Sequence, residues 1–389
     1  MYHYWYDARF INKKGGPLRF WELSDSLTRA GHTVYLFTVK DMGMPQSQTS
    51  AKVVCIPSFG IPLIGMFIFD ICLLCSSLYH ALRYGCNGVY ARLLYSFTPL
   101  LISLFTKSPL IYDVFDDPYI RYNNHSLVGR ITKLPLTKLY DAIYFKYAHA
   151  FVTFSIKVKD VLIANTNIPS DKISVLRGGS NLRLFKPIPR DTTCKKLGFN
   201  PDLRYIGFVG KYRKGNDYDV IIETAAEIKK HYSDVRFITI GDSFFSQYEI
   251  PKAKVAHCDD IFLDLGFIEY DILPEYIACM DICIAPFTKE WGDTAAIKLF
   301  DYLACGKPVV TTNFGTTSAY LDEANAIVFV EPEKPEQLTH ELIGLLDNPG
   351  KRAEMGKHGR SFMERYFDRE NVATAVGALF SKHAGTAHT

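Results

Sequence analysis

The stretch RYIGFVGKYRKGNDYDVIIETAAEIKKHYSDVRFITIGDS, residues 204–243, shows how this chain is organised. Its two apolar runs, Arg204–Val209 and Val235–Ile240, have the length and composition of buried strands. Between them Ile221, Ala225 and Ile228 recur at the spacing of one helix face. A strand, a helix and a second strand in this order predict a parallel βαβ unit, since the connection is too long for a hairpin.

The same alternation of apolar runs and amphipathic segments extends in both directions from this stretch. A first strand is expected within Met1–Tyr6. The other candidate strands are Thr33–Val39, Lys52–Pro57, Gly88–Leu94, Pro109–Phe115, Phe151–Ser155, Ile261–Gly266, Asp281–Ala285, Lys307–Thr312 and Ala326–Val330. Repeated βα units predict an α/β fold of doubly wound parallel sheets with helices on both faces.

A segment rich in proline and polar residues interrupts the alternation. Phe185–Pro201 contains Pro187 and Pro189, and the alternation restarts near residue 200. We interpret this segment as the linker between two Rossmann-like domains. The predicted domains are residues 1–186 and 187–366, and the C-terminal helix, residues 367–389, is expected to join the first of them.

Composition narrows the class of protein. The chain has 389 residues, of which 48% are hydrophobic and 22% charged, and its formal net charge is only +3. These values are typical of an ordinary globular protein and argue against a dedicated nucleic-acid binder. The odd number of cysteines, nine, does not fit a disulfide scaffold, and the start MYHYWYDARF lacks the apolar region of a secretion signal. We therefore expect a cytoplasmic protein.

One apolar segment tests that expectation. Ile61–Tyr79 is almost entirely apolar, with Asp70 in its middle. A spanning helix needs about 20 apolar residues, and a central carboxylate disfavours insertion by roughly 3 kcal/mol. We predict a buried core helix in which Asp70 lies near the surface or a partner, and the alternative is a helix that lies on a membrane surface.

Two loops have the composition of phosphate sites. Gly15 and Gly16 precede a helix expected to begin at Pro17, and free amides at a helix start attract anions. The run GKYRKG, Gly210–Gly215, places three cations directly after a strand, where ligands of parallel sheets bind. It is not a Walker loop. Gly241 follows the next strand in the same way. For each loop the alternative is an ordinary surface turn.

The most informative stretch is DTAAIKLFDYLACGKPVV, residues 293–310. Asp293 is expected to cap a helix. Thr294, Lys298 and Asp301 would then share one face of that helix. A helix start, a cation and two carboxylates suit a ligand that has both phosphate and hydroxyl groups. The structural alternative is a capped helix with an internal ion pair.

Taken in order, these motifs resemble the retaining glycosyltransferases of family 4, which have the GT-B fold of two Rossmann-like domains facing a central cleft. The resemblance rests on six segments spread over most of the chain. They are Gly15–Gly16 with LTRAGHTV at 27–34, GSNLRLFKP at 179–187, FVGKYRKG at 208–215, ITIGDS at 238–243, LGFI at 265–268 with Leu273–Pro274, and DTAAIKLFDYLACGKPVV at 293–310. The family's E-x7-E pair is replaced here by Asp293 and Asp301, and Glu290 could substitute for Asp293.

The resemblance implies a sugar transfer from a UDP- or GDP-sugar to a hydroxyl acceptor, with retention and without a metal or other cofactor. Asp301 would bind the ribose hydroxyls and Asp293 those of the donor sugar, while Lys211 and Lys214 would stabilise the departing diphosphate. Asp293, Lys211 and Lys214 are thus the implied catalytic residues. The implied donor-binding residues are Gly16, Gly210, Arg213, Gly241, Ile268, Glu290, Gly292, Thr294, Ala295, Lys298 and Asp301.

The acceptor side is expected in the first domain, at Arg92 and Asp116. Asp116 and Asp117 also allow a Mg²⁺ site or a structural turn. The implied acceptor is a glycan or a lipid-linked sugar of cell-surface assembly, and the basic, aromatic stretch Tyr119–Lys159 suggests a peripheral contact with the inner face of the membrane. No nucleic-acid partner is expected. The alternatives are a sugar-nucleotide epimerase or phosphorylase of the same fold and an inactive relative that only binds partners.

Overall fold

The computed structural model describes residues 2–4, 15–39, 50–57, 64–92, 96–114, 134–153, 156–176, 179–210, 216–241, 245–291, 296–313, 318 and 321–384. The chain divides into two compact units. The first comprises Met1–Gly178 and Arg369–Thr389, and the second comprises Gly179–Asp368.

Each unit is built on a parallel sheet. The strands of the first are β1 (Tyr2–Tyr4), β2 (Tyr35–Val39), β3 (Lys52–Ile56), β4 (Val89–Arg92), β5 (Leu110–Val114), β6 (Ala150–Thr153) and β7 (Ile173–Val175), in the order β3-β2-β1-β4-β5-β6-β7. The strands of the second are β8 (Arg204–Val209), β9 (Val235–Ile240), β10 (Phe262–Asp264), β11 (Ile282–Ala285), β12 (Val309–Thr312) and β13 (Ile327–Val330), in the order β10-β9-β8-β11-β12-β13. All pairings between these strands are parallel, which confirms the predicted doubly wound α/β class.

The α-helices of the described residues are α1 (Gly15–Arg29), α2 (Ile64–Tyr84), α3 (Thr98–Thr106), α4 (Leu134–Tyr147), α5 (Ile156–Asn165), α6 (Arg190–Leu197), α7 (Tyr218–His231), α8 (Ile250–Val255), α9 (Leu273–Cys279), α10 (Ile297–Ala304), α11 (Pro335–Leu346), α12 (Pro349–Tyr366) and α13 (Arg369–His383). In the first unit, α1 and α13 pack on one face of the sheet, where Leu27, Tyr90 and Val376 are buried together. Helices α2 to α5 cover the other face of this sheet, through a core that includes Phe69 and Tyr112.

The expected strands are confirmed. Strands β8 and β9 have the predicted bounds, most of the others are shorter by one or two residues at an end, and the first strand lies within Met1–Tyr6 as predicted. Strand β7 was not expected, because its three residues, ISV, are too short to form a recognisable apolar run. Gly31 and Gly306 end α1 and α10 with φ values of 92° and 69°, which only glycine adopts without strain.

The segment 185–201, which the sequence predicts to be a linker between domains, contains a helix in its polar part. Arg190–Leu197 form α6, and Cys194 is fully buried. The Arg190 guanidinium donates hydrogen bonds to Asp281 at 3.0 Å and to the carbonyls of Pro201 and Leu203. Because the exposed side of α6 is charged, its composition resembles that of a linker. The sequence pattern therefore does not indicate this helix.

Helix α2 differs from the predicted core helix. Phe69, Leu73 and Ala81 are buried, but Ile71 and Leu82 are 61% and 72% exposed, so only one side of the helix contributes to the core. Asp70 has the partners expected of it, since its carboxylate accepts hydrogen bonds from Ser96 and from Thr98 at 2.8 Å. Among the helices that the structure describes, none is long and apolar enough to cross a membrane.

Candidate functional site

The candidate site lies at the carboxyl ends of the second sheet, where the strand order reverses between β8 and β11. Crevices of open parallel sheets bind ligands at such reversal points. Helix α10 is held there by Tyr302, whose buried hydroxyl accepts a 2.7 Å hydrogen bond from the backbone N–H of Val209. This contact fixes α10 against the end of β8 and so positions its polar side chains.

Lys298 and Gly210, which belong to different sequence motifs, meet at this point. The Lys298 ammonium lies 4.0 Å from the ring centre of Phe208 and 5.3 Å from that of Phe287. A Cβ added to Gly210 would stand 2.6 Å from Lys298 Nζ. Glycine at the end of β8 therefore leaves the space that this cation occupies, and the aromatic faces attract it electrostatically.

The two described ends of the basic loop also lie at this cation. Gly210 precedes the loop, and Asn216, which follows it, accepts a 3.3 Å hydrogen bond from Lys298. Asn216 pairs with Phe287 across an isolated antiparallel bridge. Lys211, Arg213 and Lys214 lie outside the described residues, so their roles stay predictions, but the loop that carries them starts and ends beside Lys298.

The start of α10 corrects one expectation. The helix begins at Ile297, and its N-cap is Ala296 in an extended conformation (φ −75°, ψ 129°) without a side-chain cap. The described helix thus begins three residues later than a cap at Asp293 would place it. Gly292, Asp293, Thr294 and Ala295 lie outside the described residues. Glu290 is exposed in the single helical turn Lys289–Trp291.

Asp301 is deeply buried one turn after Lys298. Only 6% of it is exposed, and its Oδ1 accepts a 2.6 Å hydrogen bond from the buried hydroxyl of Ser180. Burial raises the pKa of Asp301 to about 7, and the Ser180 hydrogen bond opposes that rise. With this pKa the carboxyl group of Asp301 is partly protonated at neutral pH. A ligand that donates hydrogen bonds to it would favour its charged form.

A small pocket lies beside the cation at the ends of β8, β9 and β10. The pocket is partly open to solvent. Its lining consists of Phe208, Gly210, Tyr218, Thr239, Ile240, Gly241, Phe245 and Asp264. Both predicted glycines, Gly210 and Gly241, therefore border it. Asp264 is held by the hydroxyl of Thr239 at 2.8 Å and by that of Ser246, so the pocket combines aromatic walls with a fixed carboxylate.

The remaining predicted residues are placed as follows. Ile268 is half-buried between β10 and α9. Gly16 lies within the first turn of α1, which begins at Gly15, two residues before the predicted start. In the first unit Arg92 is buried at the carboxyl end of β4, and Asp116 lies outside the described residues. Within the described part of the chain, no cluster of three or more His, Cys, Asp and Glu side chains could hold a metal ion.

Four polar residues of interest were not predicted. Ser180 and Asn216 contact Asp301 and Lys298, and both are buried. The buried Thr288 Oγ1, just after β11, has no hydrogen-bond partner among the described residues. The sequence indicates these three residues only by their position, since each lies within or beside a motif that follows a strand or precedes a helix. The fourth is Asp113, which is fully buried on β5, is the register partner of Arg92 on β4, and accepts a 2.8 Å hydrogen bond from Tyr90.

Comparison with known proteins agrees with this geometry. Residues 204–348 match the family model described as Glycosyl transferases group 1. That range contains Gly210, Lys298 and Asp301, together with every strand of the second sheet.

Relatives and solved structures extend the likeness. Spore coat protein SA of Bacillus subtilis (strain 168) is 21% identical over 246 residues, which cover 60% of this chain and 64% of the relative. A D-inositol 3-phosphate glycosyltransferase of Segniliparus rotundus is 25% identical over 58% of this chain and 52% of that protein. The chain thus spans roughly half to two thirds of these relatives.

The crystal structure of Anabaena HepE in complex with UDP-glucose aligns with a TM-score of 0.72 and 15% identity, over 98% of this chain and 99% of HepE. At this identity the likeness concerns the fold. The chain therefore has the GT-B fold, and its residues 204–348 match the family described as Glycosyl transferases group 1.

Proposed function

We propose that this protein is a retaining glycosyltransferase that moves a sugar from a UDP- or GDP-sugar to a hydroxyl acceptor in polysaccharide or glycolipid assembly. The observation that carries the proposal is the meeting of Lys298, Gly210 and the ends of the basic loop at the reversal point of the second sheet. These residues belong to the stretch that matches the group 1 family.

The diphosphate of the donor is proposed to bind at this cation. A phosphate oxygen offers the Lys298 ammonium a charged acceptor in place of the neutral amide oxygen of Asn216. Lys211, Arg213 and Lys214, which lie between Gly210 and Asn216 in the sequence, are proposed to add further positive charge, as are the amides at the start of α10. Side chains and dipoles would then balance the phosphate charge without a metal ion.

The nucleoside and the sugar are proposed to lie on either side of the diphosphate. Asp301 accepts hydrogen bonds from the ribose hydroxyls, in competition with Ser180. Asp293, or Glu290 in its place, holds hydroxyls of the donor sugar. Ile268, Gly241 and the pocket beside Gly210 lie along the ends of the strands where the base would be accommodated.

The chemical step needs no side-chain base. The bond between the sugar C1 and the diphosphate oxygen breaks, and a bond from C1 to the acceptor oxygen forms on the same face. The acceptor proton passes to the departing diphosphate oxygen, so charge and atoms balance. Positive charge develops on the sugar ring, as in glycoside hydrolysis, and negative charge on the diphosphate, where Lys211 and Lys214 stabilise it.

The acceptor is proposed to be a glycan or a lipid-linked sugar that binds the first unit near Arg92 and Asp116, with the protein in peripheral contact with a membrane. The name of one relative supports this class. A protein of Corynebacterium glutamicum, 28% identical over 199 residues, is described as a GDP-mannose-dependent monoacylated alpha-(1-6)-phosphatidylinositol monomannoside mannosyltransferase.

Thermal melting with UDP or GDP, with EDTA present, tests the donor site. We expect one nucleotide to raise the melting temperature, and Asp301→Ala to weaken its binding by roughly 1–3 kcal/mol, the strength of a charged hydrogen bond. Asp234→Ala is the control, because it removes the ion pair with Arg204 (2.7 Å) at the opposite end of the sheet. Unchanged affinity in Asp301→Ala would contradict the site.

A donor screen read by mass spectrometry then tests the reaction. Transfer of the sugar to an acceptor with retained configuration supports the proposal. Release of a free epimerised sugar without acceptor would favour an epimerase, and no response to any nucleotide would favour an inactive relative.

A further inference from the structure

Two neighbouring helices of the first unit expose an unusually apolar surface, which we call the α2–α3 face. Helices α2 and α3 contact each other and cover the same side of the first sheet. The exposed large side chains of this face are Ile68, Ile71, Tyr79 and Leu82 of α2 and Leu101, Leu104 and Phe105 of α3. Soluble proteins rarely expose contiguous apolar patches of this kind unless something binds them.

The exposure follows from helical geometry. Along α2 the outward positions recur every three or four residues, whereas Phe69 and Leu73 face the core and are at most 2% exposed. In α3, Ile102 is fully buried while Leu104 and Phe105 are 44% and 58% exposed. Both helices are therefore apolar on both sides, although the sheet covers only one side of each.

The exposed charged side chains of α2, α3 and α4 have one sign. Helices α2, α3 and the next helix of the same layer, α4, contain only two acidic residues, Asp70 and Asp141. Asp70 is engaged by Ser96 and Thr98, and Asp141 is 2% exposed and accepts a hydrogen bond from Tyr112 at 3.1 Å. The inward carboxylates leave the outward surface of these helices without an acidic side chain.

Basic side chains, by contrast, point outward. Arg83 at the end of α2, Lys107 after α3, and Lys138 and Lys146 on α4 are all exposed. Helix α4 adds the exposed Leu139 and Tyr147 to the same layer. The surface thus combines apolar side chains with a basic border.

We infer that the α2–α3 face docks onto the surface of a bilayer that contains anionic lipids. Apolar side chains of a surface helix enter the acyl boundary, and neighbouring Lys and Arg pair with anionic headgroups. A second copy of the chain fits less well, because self-pairing of this face would bring its cations together without counter-charges. The inference rests on the membrane contact within the proposed function and not on the donor site.

Flotation with vesicles tests this inference. The full chain is mixed either with vesicles of phosphatidylcholine alone or with vesicles that also contain about 30 mol% phosphatidylglycerol. When about one third of the lipid is anionic, the vesicle has a strong negative surface potential. We expect binding to the anionic vesicles only, and weaker binding in 0.5 M NaCl. Ile71→Glu with Leu104→Glu should lower the partition constant at least about tenfold, because each new carboxylate is repelled by the headgroups.

A matched control is available in the second unit. Val255 and Tyr366 are 81% and 55% exposed, and Val255→Glu with Tyr366→Glu should leave the partition constant within about twofold of the unmodified chain. A second variant, Arg83→Gln with Lys146→Gln, keeps the apolar side chains and should lower binding several-fold. Circular dichroism checks that each variant is folded.

Other results would overturn the inference. These are no binding to either vesicle, equal binding to both, or binding that Ile71→Glu with Leu104→Glu leaves unchanged. A dimer abolished by those substitutions, without vesicle binding, would assign the face to a second copy. The shift of the melting temperature by UDP or GDP is measured on the same samples, so failure of the donor site is recognised separately.

Discussion

The two units share a strand order in which three strands lie on one side of the reversal point and the rest on the other, yet they use their side chains differently. In the second unit, polar groups are brought inward at the carboxyl ends of the strands, as Asp301 and Asn216 show. In the first unit, apolar groups are placed outward, as on α2 and α3. The same topology thus supports two surfaces of opposite chemistry.

This contrast shows that the sheet determines where a site can be, and the side chains determine what the site does. The reversal point of the second sheet is marked by a cation, a glycine that makes room for it, and a titratable carboxylate. If chemistry on the donor is confined to that unit, substitutions there should change turnover and nucleotide binding, and equivalent ones in the first unit should not.

The largest effect is expected for Lys211→Ala. Removal of one group that stabilises developing charge lowers turnover by roughly 100–1,000-fold. The charge on the diphosphate increases as its bond to the sugar breaks, so the donor KM should change much less than kcat. Steady-state kinetics with a fixed acceptor measures both constants.

A cation of the first unit provides the comparison. Arg92→Lys, at the carboxyl end of β4, should raise the KM of the acceptor and leave the affinity for UDP or GDP unchanged. Equal losses of kcat and donor affinity in Lys211→Ala, or weakened nucleotide binding in Arg92→Lys, would contradict the division between the units.

Much of this arrangement could be predicted from local patterns. Short apolar runs separated by amphipathic segments gave the strands of both sheets, because buried parallel strands have that composition. The sequence indicates Gly210 as a site residue because it follows a strand, and Lys298 because it lies on the polar face of a helix. The two residues are 88 positions apart in the sequence, and they meet because β8 pairs with β11.

The rest depends on contacts that no local pattern encodes. The hydrogen bond from Ser180 to Asp301 joins residues 121 positions apart. The sequence places the start of α10 too early because Asp is a common N-cap residue. The backbone of Ala296 is extended, and the helix begins only at Ile297. The exposure of α2 was missed because apolar residues on both sides of a helix do not show which side the sheet covers.

A smaller effect is expected from the proton on Asp301, because burial raises the pKa of this carboxyl from an ordinary value of 3.8 to about 7 in the folded state. Between these two values the folded protein binds more protons than the unfolded chain, so stability falls as pH rises. Asp301→Asn removes that dependence. From pH 5 to pH 8 the unmodified protein should lose on the order of 2–3 kcal/mol relative to Asp301→Asn in urea unfolding.

A paired carboxylate in the same unit serves as the control. The Arg204 guanidinium lowers the pKa of Asp234, so that group is ionised at both pH values. Asp234→Asn should therefore change the free energy of unfolding equally at pH 5 and pH 8. If Asp301→Asn behaved in the same way, Asp301 would not be the buried titrating group that distinguishes this unit.

The smallest effect, and the most local one, is expected for Gly210→Ala. The backbone of Gly210 does not have a positive φ, so alanine fits it, but the new Cβ would stand 2.6 Å from Lys298 Nζ. Because Nζ is the end of a flexible side chain, the ammonium shifts and the fold remains. Nucleotide affinity should fall about five- to tenfold, with less than about 1 kcal/mol lost in stability.

A double-mutant cycle decides whether that loss acts through the cation. In a Lys298→Met background, Gly210→Ala should weaken nucleotide binding less than about twofold, because the ammonium that it displaces is already absent. Gly88→Ala in the first unit is the matched substitution, as its Cβ would stand 2.4 Å from the ring of Phe380. It should lower stability and leave nucleotide affinity unchanged, because it disturbs a core contact and no ligand group. Additive effects of Gly210→Ala and Lys298→Met would show that the glycine does not act through this cation, and the donor site would then have to be sought elsewhere along the ends of the second sheet.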